Sequence, residues 1–203
     1  LLRLVNNIID MNKIDYGYYD IELGNYNIVS VVEDITMSVL EYIKNKGIEL
    51  IFDTDTEEEI IACDPDKIER IILNLLSNAI KYTRPDGKII VNINSDKENV
   101  YISVKDTGIG MPKQKLNKIF NRYEQIDNKL TKSFNGSGIG LSLVKSLVEM
   151  HKGKITVESK ENEGSKFTIT LPKKRINNEH IKNTNLTKSR VEKCNIEFSD
   201  IYN

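Results

Sequence analysis

Two cysteines, two histidines and no long apolar run are what this 203-residue chain has little of, and each shortage excludes something. Cys63 and Cys194 stand far apart and outside any CxxC or Cys/His cluster, so zinc spacing is absent and a reduced, cytosolic compartment is expected. No apolar stretch approaches the roughly 20 residues that cross a bilayer, and no signal peptide opens the chain. A dominant charge sign is also missing: 29 Lys and Arg nearly balance 30 Asp and Glu. Nucleic acid is therefore not an expected partner, and any phosphate site must be built locally. No segment repeats. The chain starts without methionine and in mid-helix, which points to a longer parent whose anchoring in the cell membrane stays open.

What is present suffices for one core, since 39% of residues are hydrophobic. Leu1, Leu4, Val5, Ile8 and Met11 recur at helical spacing, with Leu2 and Ile9 widening the stripe, so residues 1–17 read as the end of a bundle helix. A packing helix of the same domain is the plainer alternative. One helix is expected from Ile28 to Lys46 and a strand from Ile48 to Asp53. Asp64 and Pro65 are an N-cap and first helical position, opening a helix to about Tyr82. The turn Arg84 to Gly87 leads to paired strands, Lys88 to Ser95 and Asn99 to Lys105. Thr107 to Gly140 is irregular apart from a short helix near Lys115 to Phe120, a pattern usual in functional lids. A helix from Ile139 to His151 and strands Lys154 to Ser159 and Lys166 to Leu171 follow. Residues 173–203 are polar and read as largely disordered, although Cys194, Ile196 and Phe198 alternate as a short edge strand would.

Four segments carry the chemistry. In NLLSNAIKYT, Asn74 and Asn78 lie four apart and share a helix face, with Lys81 and Tyr82 a turn beyond. Carboxamide oxygens suit Mg²⁺, which takes its other ligands from phosphates and water, and the lysine can neutralise those phosphates; two solvated asparagines are the bland reading. In DTGIGM, coming off a strand, Asp106 can accept a hydrogen bond from an exocyclic amine, while Gly108 and Gly110 let the backbone pack on a planar base. In IFNRYEQ, Phe120 is an apolar anchor and Arg122 either reaches polyphosphate or forms a surface ion pair. Lys129 and Lys132 read as solvated. In GSGIGLSLVK, Gly136, Gly138 and Gly140 precede an apolar helix whose free N–H groups and dipole suit phosphate. A dinucleotide fingerprint would need an early strand-turn-helix unit and an acidic residue at the next strand end, whereas this loop follows a long irregular segment.

This ordered set resembles the ATP-binding catalytic domain of sensor histidine kinases of two-component systems, in the superfamily that also holds DNA gyrase, MutL and a heat-shock chaperone ATPase. The resemblance covers Leu1 to Leu171. It implies a two-layer α/β sandwich of the Bergerat type: a mixed, mostly antiparallel sheet on three helices, preceded by the end of a dimerisation helix. Residues 18–172 would be the catalytic domain. By position it implies Mg²⁺ on Asn78 with Asn74 assisting, phosphate and ribose contacts from Lys81 and Tyr82, and the adenine amine on Asp106. Gly108 and Gly110 would line the base pocket, with Thr168 near the adenine through water, and Phe120 and Arg122 would belong to the lid. Gly136, Ser137, Gly138, Gly140 and Leu141 would hold the triphosphate of ATP. Tyr123 stands where the family often has Phe.

The same resemblance separates kinase from ATPase. Hydrolysing relatives, and the anti-sigma Ser/Thr kinases, carry Glu where this chain has Asn74, and an amide cannot act as a general base. A neutral imidazole needs no such base, which favours transfer to histidine and then to a response-regulator aspartate. The acceptor segment, of the kind HELRTPL, does not occur among these residues. His151, at the end of a helix where its charge would suit the dipole, and His180, in the tail, do not fit that role. The implied entity is a phosphate donor without its substrate helix, not self-phosphorylating alone. The parent is expected to be a homodimer and this piece a monomer. A catalytically silent ATP-binding module and an anti-sigma-type kinase are the alternatives.

Overall fold

The computed structural model describes residues 2–124, 138–177, 181, 196 and 198. In chain order the elements are α1 (Leu2–Asp15), β1 (Gly24–Asn27), α2 (Ile28–Ser38), α3 (Leu40–Asn45), β2 (Glu49–Thr54), β3 (Ile60–Cys63) and α4 (Pro65–Tyr82). Then come β4 (Lys88–Ser95), β5 (Asn99–Asp106), a 3₁₀ turn (Lys113–Lys115), α5 (Gly140–Met150), β6 (Lys154–Lys160) and β7 (Gly164–Pro172). Five strands form one sheet in the order β2-β4-β5-β7-β6, with β2 and β4 parallel and every other pair antiparallel. The two-layer α/β sandwich is the expected one.

Alternation builds the core. Ile89, Val91 and Ile93 of β4, Val100, Ile102 and Val104 of β5, and Phe167, Ile169 and Leu171 of β7 all point to one face and are buried. Against them lie Ile68, Ile71, Ile72, Leu75 and Leu76 of α4, the apolar sides of α2, and Leu143, Val144 and Leu147 of α5. α4 begins as expected: the Asp64 carboxylate accepts from the backbone of Asp66 at 3.0 Å and Lys67 at 3.2 Å, and Pro65 occupies the first turn.

Three expectations need correction, and one two-stranded element has no counterpart among them. The helix expected over Ile28 to Lys46 is two helices, broken at Val39. Thr36 Oγ1 donates to Val32 O at 2.7 Å and Ser38 Oγ to Ile35 O at 2.6 Å, and such back-bonding competes with the helix ladder. β1 and β3, four residues each, form an antiparallel ribbon that period-2 reasoning passes over. It is tied to the chain after β7, since Ala62 N–H donates to Lys174 O at 2.7 Å and Asn25 exchanges hydrogen bonds with Ile176. The short helix near Lys115 to Phe120 is instead the 3₁₀ turn just after Pro112. In the tail, Ile196 and Phe198 are helical rather than a strand, and buried Phe198 stacks on Tyr42 with ring centroids 5.0 Å apart. A core site nearby rewards an aromatic ring more than an edge pairing would.

α1 packs on the domain through Asn7 and Met11, and Arg70 of α4 hydrogen-bonds Asn7 at 2.9 Å and pairs with Asp10. Leu2, Val5, Ile8 and Ile9 stay exposed.

Candidate functional site

Three segments surround the site residues of α4: one lies against Asn74, one against Tyr82, and one meets the start of α5 through Tyr123 and Gly138. The first is the start of α5. Asn74 is buried, Asn78 half-buried, and Gly140 lies so close that a Cβ on it would sit 2.7 Å from Asn74 Oδ1. A side chain there would displace the Asn74 carboxamide. Gly138, at φ +68°, takes the left-handed conformation that glycine tolerates, and its carbonyl accepts from Tyr123 N–H at 3.0 Å. Ile139, the residue capping α5, offers no side-chain acceptor, so first-turn N–H groups receive no side-chain cap there. Leu141 packs its side chain on the core edge. Gly136 and Ser137 lie outside the described residues, as do Lys129, Lys132 and His180.

The second is the loop after β5. Asp106 is buried at the strand end, where its Oδ1 accepts from Gly108 N–H at 2.8 Å. Loss of water around the carboxylate outweighs the pull of the Gly108 and Ser165 backbone amides and pushes its pKa up to about 6. Ile109 N–H donates to Tyr82 O at 3.2 Å, and a Cβ on Gly108 would be 2.4 Å from the same oxygen. The loop is thus seated on the last turn of α4. Lys81 Nζ lies 5.3 Å from the centre of the Tyr82 ring. Gly110, at φ +62°, passes so near Lys160 O that a Cβ would stand 1.9 Å away. Ser159 Oγ accepts from Met111 N–H at 2.9 Å and donates to Gly164 O at 2.8 Å, binding the loop to the β6–β7 turn.

The third is the segment before the undescribed stretch. Phe120 meets Phe167 edge to face at 6.4 Å, the anchor expected of it. The Arg122 guanidinium forms a two-pronged pair with the Asp15 carboxylate at the end of α1, one arm at 2.5 Å. That bond holds the Asp15 carboxyl below its ordinary range. The surface ion pair foreseen as the alternative for Arg122 is what the structure contains.

Thr168 requires a correction. It lies between Phe167 and Ile169, which face the helices, so its own side chain faces the opposite side of the sheet; its register partners are Ser103 and Thr156. The residue paired with Asp106 is Ser165, on the helix-facing side, and its hydroxyl is 3.0 Å from Ser159 Oγ. Sequence reasoning misses Ser165 because side-chain parity depends on strand register; counting back in twos from the apolar Phe167 finds it.

His151 also differs from expectation. It is buried, and Asp64 N–H donates to its Nε2 at 3.1 Å, so that nitrogen bears no proton; the proton is on Nδ1, which donates to Leu147 O at 2.8 Å. The imidazole is neutral, bridging the end of α5 to the N-cap of α4, not a cation serving a helix dipole. Burial holds its pKa below 6.5 despite the pull of Asp64. The unfolded chain therefore binds more protons between the two pKa values, and stability present above pH 6.5 declines as pH falls below it. Asp106 acts in the opposite sense, because its raised pKa makes the fold gain stability as pH drops through 6. Urea unfolding of Asp106→Asn between pH 7.5 and 5.5 isolates the first term: stability should fall, and His151→Gln should flatten the slope.

Amide oxygens on one helix face suit a hard divalent ion only as a partial ligand set, and the described residues hold no cluster of three His, Cys, Asp or Glu that would make a complete one. Mg²⁺ arriving with phosphate oxygens fits this donor set.

The chain belongs to the family of histidine kinase-, DNA gyrase B- and HSP90-like ATPases, whose profile matches residues 63–175. It is 37% identical over 175 residues to histidine kinase P4 of Formosa agariphila, covering 85% of this chain and 13% of that protein. With sensor histidine kinase WalK of Bacillus subtilis it shares 33% over 178 residues, 86% of this chain and 29% of the relative. The catalytic domain of histidine kinase ThkA superposes with a TM-score of 0.67 at 28% identity, over 75% of this chain and 99% of that one. ThkA in complex with its response regulator TrrA gives 0.67 at 25%, over 84% of this chain and 48% of that one. Within the family, then, this is the ATP-binding catalytic domain of a sensor histidine kinase of the two-component type. It spans a small part of those curated relatives' length. No described helix is long and apolar enough to cross a membrane.

Proposed function

We propose that the domain binds Mg-ATP between α4, the loop after β5 and the start of α5, and passes the γ-phosphoryl to a histidine on a helix of the parent kinase outside residues 1–203. The observation carrying this reading is the seating of Gly140 on Asn74, which brings phosphate-ready N–H groups beside the carboxamides. Asp106 takes the adenine amine, with Ser165 beside it. Asn78 and Asn74 would hold Mg²⁺, which would supply neutralisation of phosphate charge, and Lys81 and Tyr82 meet phosphate and ribose. Arg122 joins by exchanging the Asp15 carboxylate for phosphate oxygens. The acceptor imidazole's lone pair forms the new N–P bond as the bridging oxygen leaves with ADP. His151 is not that acceptor, because both of its nitrogens are engaged and buried.

Residues 1–17 act as the end of a dimerisation helix in a homodimeric parent, residues 18–172 as the catalytic domain and 173–203 as an appendage. The exposed Leu2, Val5 and Ile9 support the first assignment. The response regulator is the onward partner. The test is to mix this chain with a dimerisation fragment that carries the acceptor helix and supply γ-labelled ATP. Acid-labile label on the fragment, and none on this chain alone, is the expected result. Acid-stable label on a hydroxyl residue, or no label at all, would refute the proposal.

A further inference from the structure

The last carbonyls of an α-helix lie beyond the reach of its own amides, and at the end of α4 each finds a partner. Thr83 N–H closes the final helical bond on Ala79 O at 3.0 Å. The carbonyls of Ile80 and Lys81 then accept from one ammonium, Lys46 Nζ, the second at 3.2 Å. Tyr82 O accepts from Ile109 N–H at 3.2 Å. One flank of the helix end is therefore held by a lysine, and the other by the loop that follows Asp106.

Lys46 is well placed for this. It is the C-cap of α3, and its neighbour Gly47, at φ +69°, turns the chain into β2. The Gly47 carbonyl accepts from Asp86 N–H at 2.8 Å and Ile48 N–H donates to Ile43 O at 3.1 Å, so the backbone from which the lysine reaches is pinned on both sides. A cation at a helix C-terminus is further favoured by the dipole. The ammonium is partly buried, which lowers its pKa and marks it as held away from water. The turn it caps bears Lys81 and Tyr82, and Gly108 rests on Tyr82 O with no room for a Cβ. Any shift of that turn moves all three together.

We propose that Lys46 is a positioning residue of the nucleotide site: without touching nucleotide, it fixes the end of α4 from which Lys81, Tyr82 and the Gly108 loop meet it. The inference rests on the reading that Mg-ATP binds there. Lys46→Met keeps the stem and removes the donor; Lys46→Arg keeps a charged donor. By calorimetry the methionine variant should bind ATP and ADP about five- to tenfold more weakly, with its far-ultraviolet dichroism unchanged, and arginine should restore most of the loss. Ile43→Val, buried in the same helix, serves as a control that lowers Tm while leaving the Lys46 ammonium and its two carbonyl partners in place. If Lys46→Met weakens nucleotide binding no more than that control at an equal loss of Tm, Lys46 is only a structural cap and the inference falls. If the unaltered chain binds no nucleotide, the site reading itself fails and takes the inference with it.

Discussion

Asp106→Asn is expected to weaken adenine-nucleotide binding by about 100-fold while leaving the fold at least as stable at pH 7. The two effects have one cause. A carboxylate whose pKa is raised from 3.8 to about 6 by burial is ionised at pH 7 at a cost of roughly 3 kcal/mol to the fold. That cost is held in place because the ionised group offers acceptors only, with Gly108 N–H already taking one. Asparagine removes the buried charge but turns an N–H₂ toward the adenine amine, setting donor against donor in a desolvated place. Isothermal calorimetry with ADP at pH 7.5, beside urea unfolding of both proteins, measures the pair of changes. A variant that binds within threefold of the original would show that Asp106 does not read the base. The original protein carries an internal check: its ADP affinity should be level above pH 7 and fall as pH drops through 6, by at most about tenfold per unit, as the acceptor is protonated.

Legibility from sequence follows how local each feature is. The N-cap and Pro65 of α4, the carboxamides four apart and the Arg84 to Gly87 turn are set by residues within a few positions of one another, and the structure has them where expected. Strands β4 and β5 are equally plain, since alternation is a local signal. Features that depend on distant partners are not legible. The break at Val39 comes from hydroxyls turning back on their own helix, which propensity alone does not decide. Ser165 rather than Thr168 beside Asp106 depends on the register between β5 and β7. The Arg122–Asp15 pair joins residues 107 positions apart, and His151 as a neutral bridge needs Asp64 of another helix within reach. The four-residue ribbon of β1 and β3 is too short for period to show.

Asn78→Ala offers the sharpest test of the metal assignment, because Asn78 can be removed without disturbing the packing that Asn74 supports. Asn74 is almost fully buried and lies against Gly140, so truncating it would leave a gap between α4 and α5 and mix a stability loss with any loss of function. Asn78 is half-exposed one turn on, and alanine is the better helix former there, so unfolding free energy should change by no more than about 1 kcal/mol. Removing the oxygen should instead abolish the metal's contribution. ATP affinity in magnesium should fall to about the level measured in EDTA, and phosphoryl transfer to a supplied acceptor fragment should drop by roughly 100-fold or more, since positioning and neutralising the phosphate is most of what this chemistry requires. Binding of ADP in EDTA should stay within about twofold of the original, because the adenine end of the site is untouched. A variant that keeps the full magnesium dependence would move the ion off this helix face and leave the two carboxamides as ordinary polar residues.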